Sequence, residues 1–157
     1  MSVTLRTTNP GDESFLYDLY CSTRNEEIAA WGWDASQQEA FLRLQFNAQR
    51  QHYDLSYEGA DHKIILLDDQ PVGRILVFDC ERECVLVDIA LLPQLRGNGI
   101  GTQLIQTLLD EAGHSGKPVV LHVEKHNRAR RLYERLGFET VGDTGVYFKM
   151  EWRPETL

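Results

Sequence analysis

Apolar positions along the chain change period several times, and the changes mark out its elements. Residues 2–8 alternate as a short strand, and Asn9-Pro10-Gly11-Asp12 reads as a turn ending near a helix cap, with a helical pattern over 13–24. A second helix is expected from about Asp34 or Ser36, with Ala40, Phe41, Leu44 and Ala48 recurring at three- and four-residue intervals against a face of Gln, Asn and Arg. Strands are expected at about 62–68, 72–79 and 84–91, separated by turns at Asp68-Asp69-Gln70-Pro71 and Asp79–Glu83. Residues 100–113 then read as a helix, 118–124 as a strand, 128–136 as a short helix, and 138–151 as a hairpin turning near Asp143-Thr144-Gly145. The order β-α-α-β-β-β-α-β-α-β-β implies an α/β fold: a mixed sheet with helices on both sides.

Composition narrows this picture. A chain of 157 residues with 42% hydrophobic content can bury one sizeable core, and it contains no repeat, linker or low-complexity tract, so residues 1–157 are expected to form a single domain. Acidic residues outnumber basic ones by 24 to 16, which disfavours non-specific nucleic-acid binding and favours cationic small molecules weakly. Cys21, Cys80 and Cys84 lack the spacing of a metal or redox motif, so no metal site is expected and a reducing compartment fits. With no leader pattern and no membrane-length apolar run, the expectation is a cytoplasmic protein without a membrane partner.

The segment Val85–Gly101, VLVDIALLPQLRGNGIG, runs from an apolar strand through Pro93 into a glycine-rich turn and then directly into a helix. Such a turn suits a phosphate. Gly97, Gly99 and Gly101 are expected to permit positive φ and close backbone approach, the first helical N–H groups lack intrahelical acceptors, and the helix dipole favours an anion. Arg96 adds a positive charge. The segment has no Gly-Lys-Ser/Thr, and its Gly-x-Gly-x-Gly spacing is not that of a dinucleotide fold.

Gln94–Gly101 closely resembles the acyl-CoA pyrophosphate loop of the GNAT acetyltransferases, with Arg96, Gly99 and Gly101 at the matching positions. Residues 127–138, NRARRLYERLGF, resemble the family's second hallmark through Asn127, Ala129, Leu132, Tyr133, Gly137 and Phe138. Arg128 stands where many members have Pro, and Asn127 can serve a polar ligand or cap the helix. The resemblance covers roughly residues 62–151; residues 1–60 match only in element order. It implies an acetyl-CoA cofactor. Arg96, Gly97, Asn98, Gly99, Ile100, Gly101 and Thr102 would hold the pyrophosphate, with Asn127 and Tyr133 also at the cofactor, while Ile89, Ala90 and Leu91 would hold the acetyl-pantetheine arm on a splayed strand edge.

Transfer from a thioester to an amine needs an unprotonated amine, a polarised carbonyl and a proton for the departing thiolate. Tyr133, at the position where the family places its acid, is the candidate donor; packing on the sheet is its alternative role. Asp88 interrupts an apolar run expected to be buried on both faces, and a carboxylate there has to be paired structurally or to grip or deprotonate the substrate. Both roles stay open. His122 and Glu124 share a strand face and are further candidates for substrate contact, with a solvated or structurally paired role as the alternative for each. Trp31 and Trp33 flank Gly32 either as an aromatic wall for an acceptor or as packing of helix onto sheet, with Tyr147 a candidate to close the far side, and Phe41 and Phe46 are assigned to the core.

The resemblance therefore implies an N-acetyltransferase acting on a primary amine of a small molecule or peptide, with direct transfer in a ternary complex expected because none of the three cysteines sits in a motif with a neighbouring base. The alternatives are a catalytically silent acyl-CoA sensor and an interaction module of the same fold. A homodimer is compatible with the sequence and not specified by it.

Overall fold

The structure is a computed structural model, and it describes residues 2–155. Among the described residues seven strands, β1 (Val3–Thr7), β2 (Asp61–Leu67), β3 (Gln70–Asp79), β4 (Cys84–Leu91), β5 (Val119–Glu124), β6 (Glu139–Asp143) and β7 (Tyr147–Trp152), form one mixed sheet in the order β1-β2-β3-β4-β5-β7-β6. The chain clusters into two compact units: Met1–Ile75 with Ile89–Arg96, and Leu76–Asp88 with Gly97–Leu157.

In the first unit β1 (Val3–Thr7) runs antiparallel to β2 (Asp61–Leu67), pairing Val3 with Leu67 and Thr7 with Lys63. The Asn9–Asp12 turn is closed by its own side chains. Asn9 Oδ1 accepts the Gly11 N–H at 2.9 Å, and the buried Asp12 carboxylate accepts the Asn9 N–H at 2.9 Å and two guanidinium N–H groups of Arg6 at 2.8 and 2.7 Å. The Arg6 hydrogen bonds hold the Asp12 carboxyl down at about 2.

Helix α1 (Glu13–Ala29) is longer than its pattern suggested, because Ile28 in the added turn is buried in the core with Tyr17, Tyr20, Leu42 and Phe46. Helix α2 (Ala35–Ser56) starts at Asp34, whose carboxylate accepts the Gln37 N–H at 2.8 Å while the Gln37 amide oxygen accepts the Asp34 N–H at 3.1 Å. Its inward face differs from the expected stripe. Leu42 and Phe46 are buried and Phe41 packs against the cluster, whereas Ala40, Leu44 and Ala48 are exposed, Leu44 by 65%. Two stripes of three-to-four spacing coexist on this helix, and the one that meets the α1 tyrosines buries more area. Tyr17 and Tyr20 pack edge-on to Phe46 with centroids 5.4 and 5.6 Å apart.

Strand β3 (Gln70–Asp79) and strand β4 (Cys84–Leu91) contribute residues to both units. Within the first, Gly73 lies so close to β4 that a Cβ there would meet the Ala90 carbonyl oxygen at 2.2 Å, and the Leu92 N–H donates to the Val72 carbonyl at 2.9 Å. Only glycine permits this approach.

In the second unit, β5 (Val119–Glu124) pairs antiparallel with β7 (Tyr147–Trp152), which pairs on its other side with β6 (Glu139–Asp143). Helix α3 (Ile100–His114) buries Ile105, Leu109 and Ala112, and its Gly113 faces the Trp152 ring, which a Cβ at that glycine would meet at an ordinary contact distance of 3.6 Å. The short α4 (Ala129–Arg135) ends at Gly137, whose φ of +102° makes the left-handed cap expected from the sequence.

Candidate functional site

The turn between β4 and α3 is built from backbone. After a 3-10 turn at Pro93–Leu95, Arg96 is extended and exposed, and Gly97 and Gly99 adopt φ of +80° and +81° with open space where a Cβ would stand. Gly99 is the N-cap of α3 and offers the first N–H groups of this 15-residue helix no side-chain cap. Ile100, 4% exposed, anchors the first turn in the core. Gly101 departs from expectation: it is the second residue of the helix and not a positive-φ position. Thr102 is exposed on the same turn, and Asn98 lies in the exposed loop with partners of its own.

The parallel ladder between β4 and β5 pairs Cys84 with Val119 and Val85 with Val120, and both strands continue past it, β4 as Leu86–Asp88 in this unit and β5 as Leu121–Glu124. Strand β4 is buried only over Cys84–Leu86. From Val87 onward it is half-buried, which corrects the expectation of a strand buried on both faces. Asp88 is thus a half-buried carboxylate with partners, not one sealed in a core, which lowers the cost of keeping it charged. Ile89, Ala90 and Leu91, the half-buried end of the strand, belong to the first unit, where Gly73 lies against them.

Past β5, the Asn127 side chain accepts the Ala129 N–H at 2.9 Å and its carbonyl accepts the Arg130 N–H at 3.2 Å, so the amide opens α4 in the capping role foreseen. Arg128 has a φ of −61°, the value proline would impose, which explains why arginine substitutes for it without distortion. Tyr133 is 8% exposed and packs on Phe138 at 5.7 Å. Burial, and secondarily the charge of Asp88, push its hydroxyl up to about 12. The structure thereby brings Tyr133 and Asp88 within electrostatic reach of each other.

His122 and Glu124 lie on the exposed face of β5, opposite buried Leu121 and Val123, as the alternation implied. Glu124 is the register partner of exposed Tyr147, and His122 that of Lys149, so these four share one sheet face. Lys149 had escaped the sequence reading. So had the contacts that hold the hairpin. Lys125 Nζ lies 2.6 Å from the Asp143 carboxylate and 5.0 Å from the Phe148 ring, and the Arg130 guanidinium lies 4.5 Å from the same ring. Trp31 and Trp33 are in the first unit, at the α1–α2 turn, and pack on one another and on Phe41.

The three cysteines are free. Cys84 is buried and its thiol is pushed up to about 11, chiefly by desolvation; Cys21 is shifted upward for the same reason.

A family model described as "Acetyltransferase (GNAT) family" matches residues 15–138. The chain is 34% identical over 91 residues to a 5-NmdU N-acetyltransferase of Pseudomonas phage PaMx11, covering 51% of this chain and 64% of that one. It is 31% identical over 85 residues to a ribosomal protein bS18-alanine N-acetyltransferase of Haemophilus influenzae, covering 54% and 58% respectively. The chain thus spans less than two thirds of the length of these curated relatives. Among solved structures, the PaiA N-acetyltransferase of Thermoplasma acidophilum in complex with coenzyme A superposes with a TM-score of 0.74 at 18% identity, over 98% of this chain and 99% of that one. The ribosomal-protein-S18-alanine N-acetyltransferase of Escherichia coli gives 0.67 at 18% identity, over 99% and 96%. These two share the fold.

Proposed function

Because the chain belongs to the GNAT family of acetyltransferases, we propose that it moves the acetyl group of acetyl-CoA directly onto a primary amine of a small molecule or peptide. The observation that carries this reading is the β4–α3 turn, where two positive-φ glycines with open space above them lead into a helix that lacks a side-chain cap. Those N–H groups fit a pyrophosphate, with Asn98, Ile100, Gly101 and Thr102 completing the turn and Arg96 adding its charge. Strand β4 running on past its ladder with β5 fits an extended arm, which the backbone of Ile89, Ala90 and Leu91 would hold. Asn127 keeps the start of α4 in place for Tyr133.

When bound, acetyl-CoA supplies an activated acyl carbon and a thiolate leaving group. Tyr133, held neutral across the physiological range by its raised pKa, would donate its hydroxyl proton to the departing sulfur and be reprotonated from solvent, while the proton lost by the nitrogen passes to Asp88 or water. Asp88, whose charge acts on Tyr133, accepts the amine's hydrogen bond or its proton on the acceptor side. Trp31, Trp33, His122, Glu124 and Tyr147 are assigned to the acceptor. The upward-shifted thiols of Cys21 and Cys84 are poor nucleophiles, which supports transfer without an acetyl-cysteine.

The test is Gly99→Val. A β-branched residue at φ +81° is strained and covers the helix start, so the acetyl-CoA dissociation constant should rise by at least about tenfold in calorimetry. Wild-type affinity in a folded variant removes the pyrophosphate assignment. Acetyl-CoA binding without thiol release across a broad amine panel would instead favour a silent sensor.

A further inference from the structure

Trp152, the half-buried last residue of β7, lies against two helix ends of the second unit. A Cβ on Gly137 would stand 3.2 Å from its Cδ1 and 3.5 Å from its Nε1, and a Cβ on Gly113 would stand 3.6 Å from its Cη2. The five-membered edge of the indole therefore meets the C-terminal cap of α4, and its opposite corner meets the last turn of α3. On the strand side the residue is the register partner of the fully buried Val119 of β5. The two glycine contacts differ in kind: 3.6 Å is ordinary packing, whereas a side chain 3.2 Å away at residue 137 would have to push the ring aside.

What each helix has besides this ring decides how much it depends on it. Helix α3 runs for 15 residues and buries Ile100, Ile105, Leu109 and Ala112, so it is held without the Gly113 contact. Helix α4 has seven residues, fewer than an isolated helix needs to persist in water, and buries Tyr133 alone. Its N-terminal end is tied down by the Asn127 side chain. Its C-terminal end hangs on Tyr133 itself: the Tyr133 carbonyl accepts the Leu136 N–H at 3.1 Å and the Phe138 N–H at 3.0 Å, and between those two residues stands Gly137. A shift of the Gly137 cap thus reaches the Tyr133 backbone through two hydrogen bonds, and its ring through Phe138, 5.7 Å away.

We propose that Trp152 is a positioning residue for Tyr133, fixing through the Gly137 cap where the tyrosine hydroxyl stands. It acts through α4 and not by contact with the reacting atoms. Removing the indole leaves a void beside residue 137, into which the short helix can relax, while α3 keeps its own buried anchors. The placement rests on these contacts; its consequence for turnover rests on the reading of Tyr133 as proton donor given above.

The test uses the full chain labelled at the tyrosine ζ-carbons, with the Tyr133 NMR signal assigned by its loss in Tyr133→Phe. In Trp152→Ala that signal should move, and the hydroxyl should ionise about one pH unit below its wild-type value of about 12, because a loosened cap admits water to the ring. Acetyl-CoA affinity in calorimetry should stay within about threefold of wild type. Turnover, read as thiol release with butylamine, 1,4-diaminobutane and an alanyl peptide as acceptors, should fall about tenfold or more. In a Tyr133→Phe background the same substitution should cost about twofold or less. Trp152→Phe, which keeps a ring edge on Gly137, should leave both the signal and the turnover near wild type.

A Tyr133 signal and titration unmoved in folded Trp152→Ala overturn the proposal. So do equal losses of turnover in the two backgrounds, and so does a loss of acetyl-CoA affinity as large as the loss of turnover, since either makes Trp152 a general packing residue. Should Trp152→Ala fail to fold, Trp152→Leu carries the same comparisons. If Tyr133→Phe turns over at the wild-type rate while Trp152→Ala still moves the Tyr133 signal, the positioning stands and the proton-donor reading fails. If Tyr133→Phe is inactive and Trp152→Ala leaves the signal in place, the donor reading stands and the positioning fails. With no thiol released from any of the three acceptors, the signal and its titration decide alone.

Discussion

Helices α2 and α3 begin in opposite ways. At α2, Asp34 and Gln37 close a reciprocal cap, and the first N–H groups are satisfied from within the chain. At α3, Gly99 stands in the N-cap position at positive φ with no side chain to offer as a cap. A reciprocal cap is what stability alone selects, since it satisfies two orphan donors together. A long amphipathic helix without such a cap, preceded by two positive-φ glycines, leaves its dipole for something outside the chain. The contrast separates a helix start that serves the fold from one that, in the proposed function, serves a ligand.

The largest expected effect lies on the ligand-serving side. Tyr133→Phe removes one hydroxyl and little volume, so acetyl-CoA affinity should persist while kcat falls by about 10²–10⁴, the range of positioned acid–base groups. Single-turnover rates would separate this from slow product release. Wild-type turnover with chemistry limiting would make Tyr133 a packing residue and leave the thiolate to solvent. Next in size is the core of the helical pair. Phe46→Ala should destabilise by about 3–5 kcal/mol, whereas Leu44→Ala, two residues away and 65% exposed, should stay within about 0.5 kcal/mol in urea unfolding. Similar losses at both sites would mean that α2 packs with the other stripe inward. The smallest effect tests the capped start itself. Asp34→Ala should cost about 1 kcal/mol of stability and leave the acetyl-CoA dissociation constant unchanged, the reverse of the outcome for Gly99→Val. A loss of cofactor affinity on removing the Asp34 cap would erase the distinction between the two helix starts.

The glycine turn, the Asn127 cap and the Gly137 cap were legible because each is a local backbone device with few residue types able to build it. Arg128 in place of proline is understood only from its φ of −61°, which leaves the backbone as proline would have it. The inward face of α2 was misread because its two stripes have equal spacing and differ only in what they meet. Gly73 carried a readable signal, a glycine inside a strand, whose meaning becomes plain once the Ala90 carbonyl is seen 2.2 Å from where a Cβ would stand. The cluster of Lys125, Asp143, Arg130 and Phe148 had no such signal, since its members are ordinary surface residues until β5, α4 and the hairpin converge.

What the sequence determined by itself, then, is the order of elements, the family and the glycine-rich turn between β4 and α3, because periodicity and glycine placement act over a few residues. What only the tertiary structure decided is environment. It left Asp88 half-buried while burying Tyr133, raised the tyrosine's pKa through that burial and secondarily through the charge of Asp88, and turned α2 so that Phe46 met Tyr17 and Tyr20 of α1. Desolvation and through-space charge depend on neighbours far apart in the chain, and no local pattern encodes them.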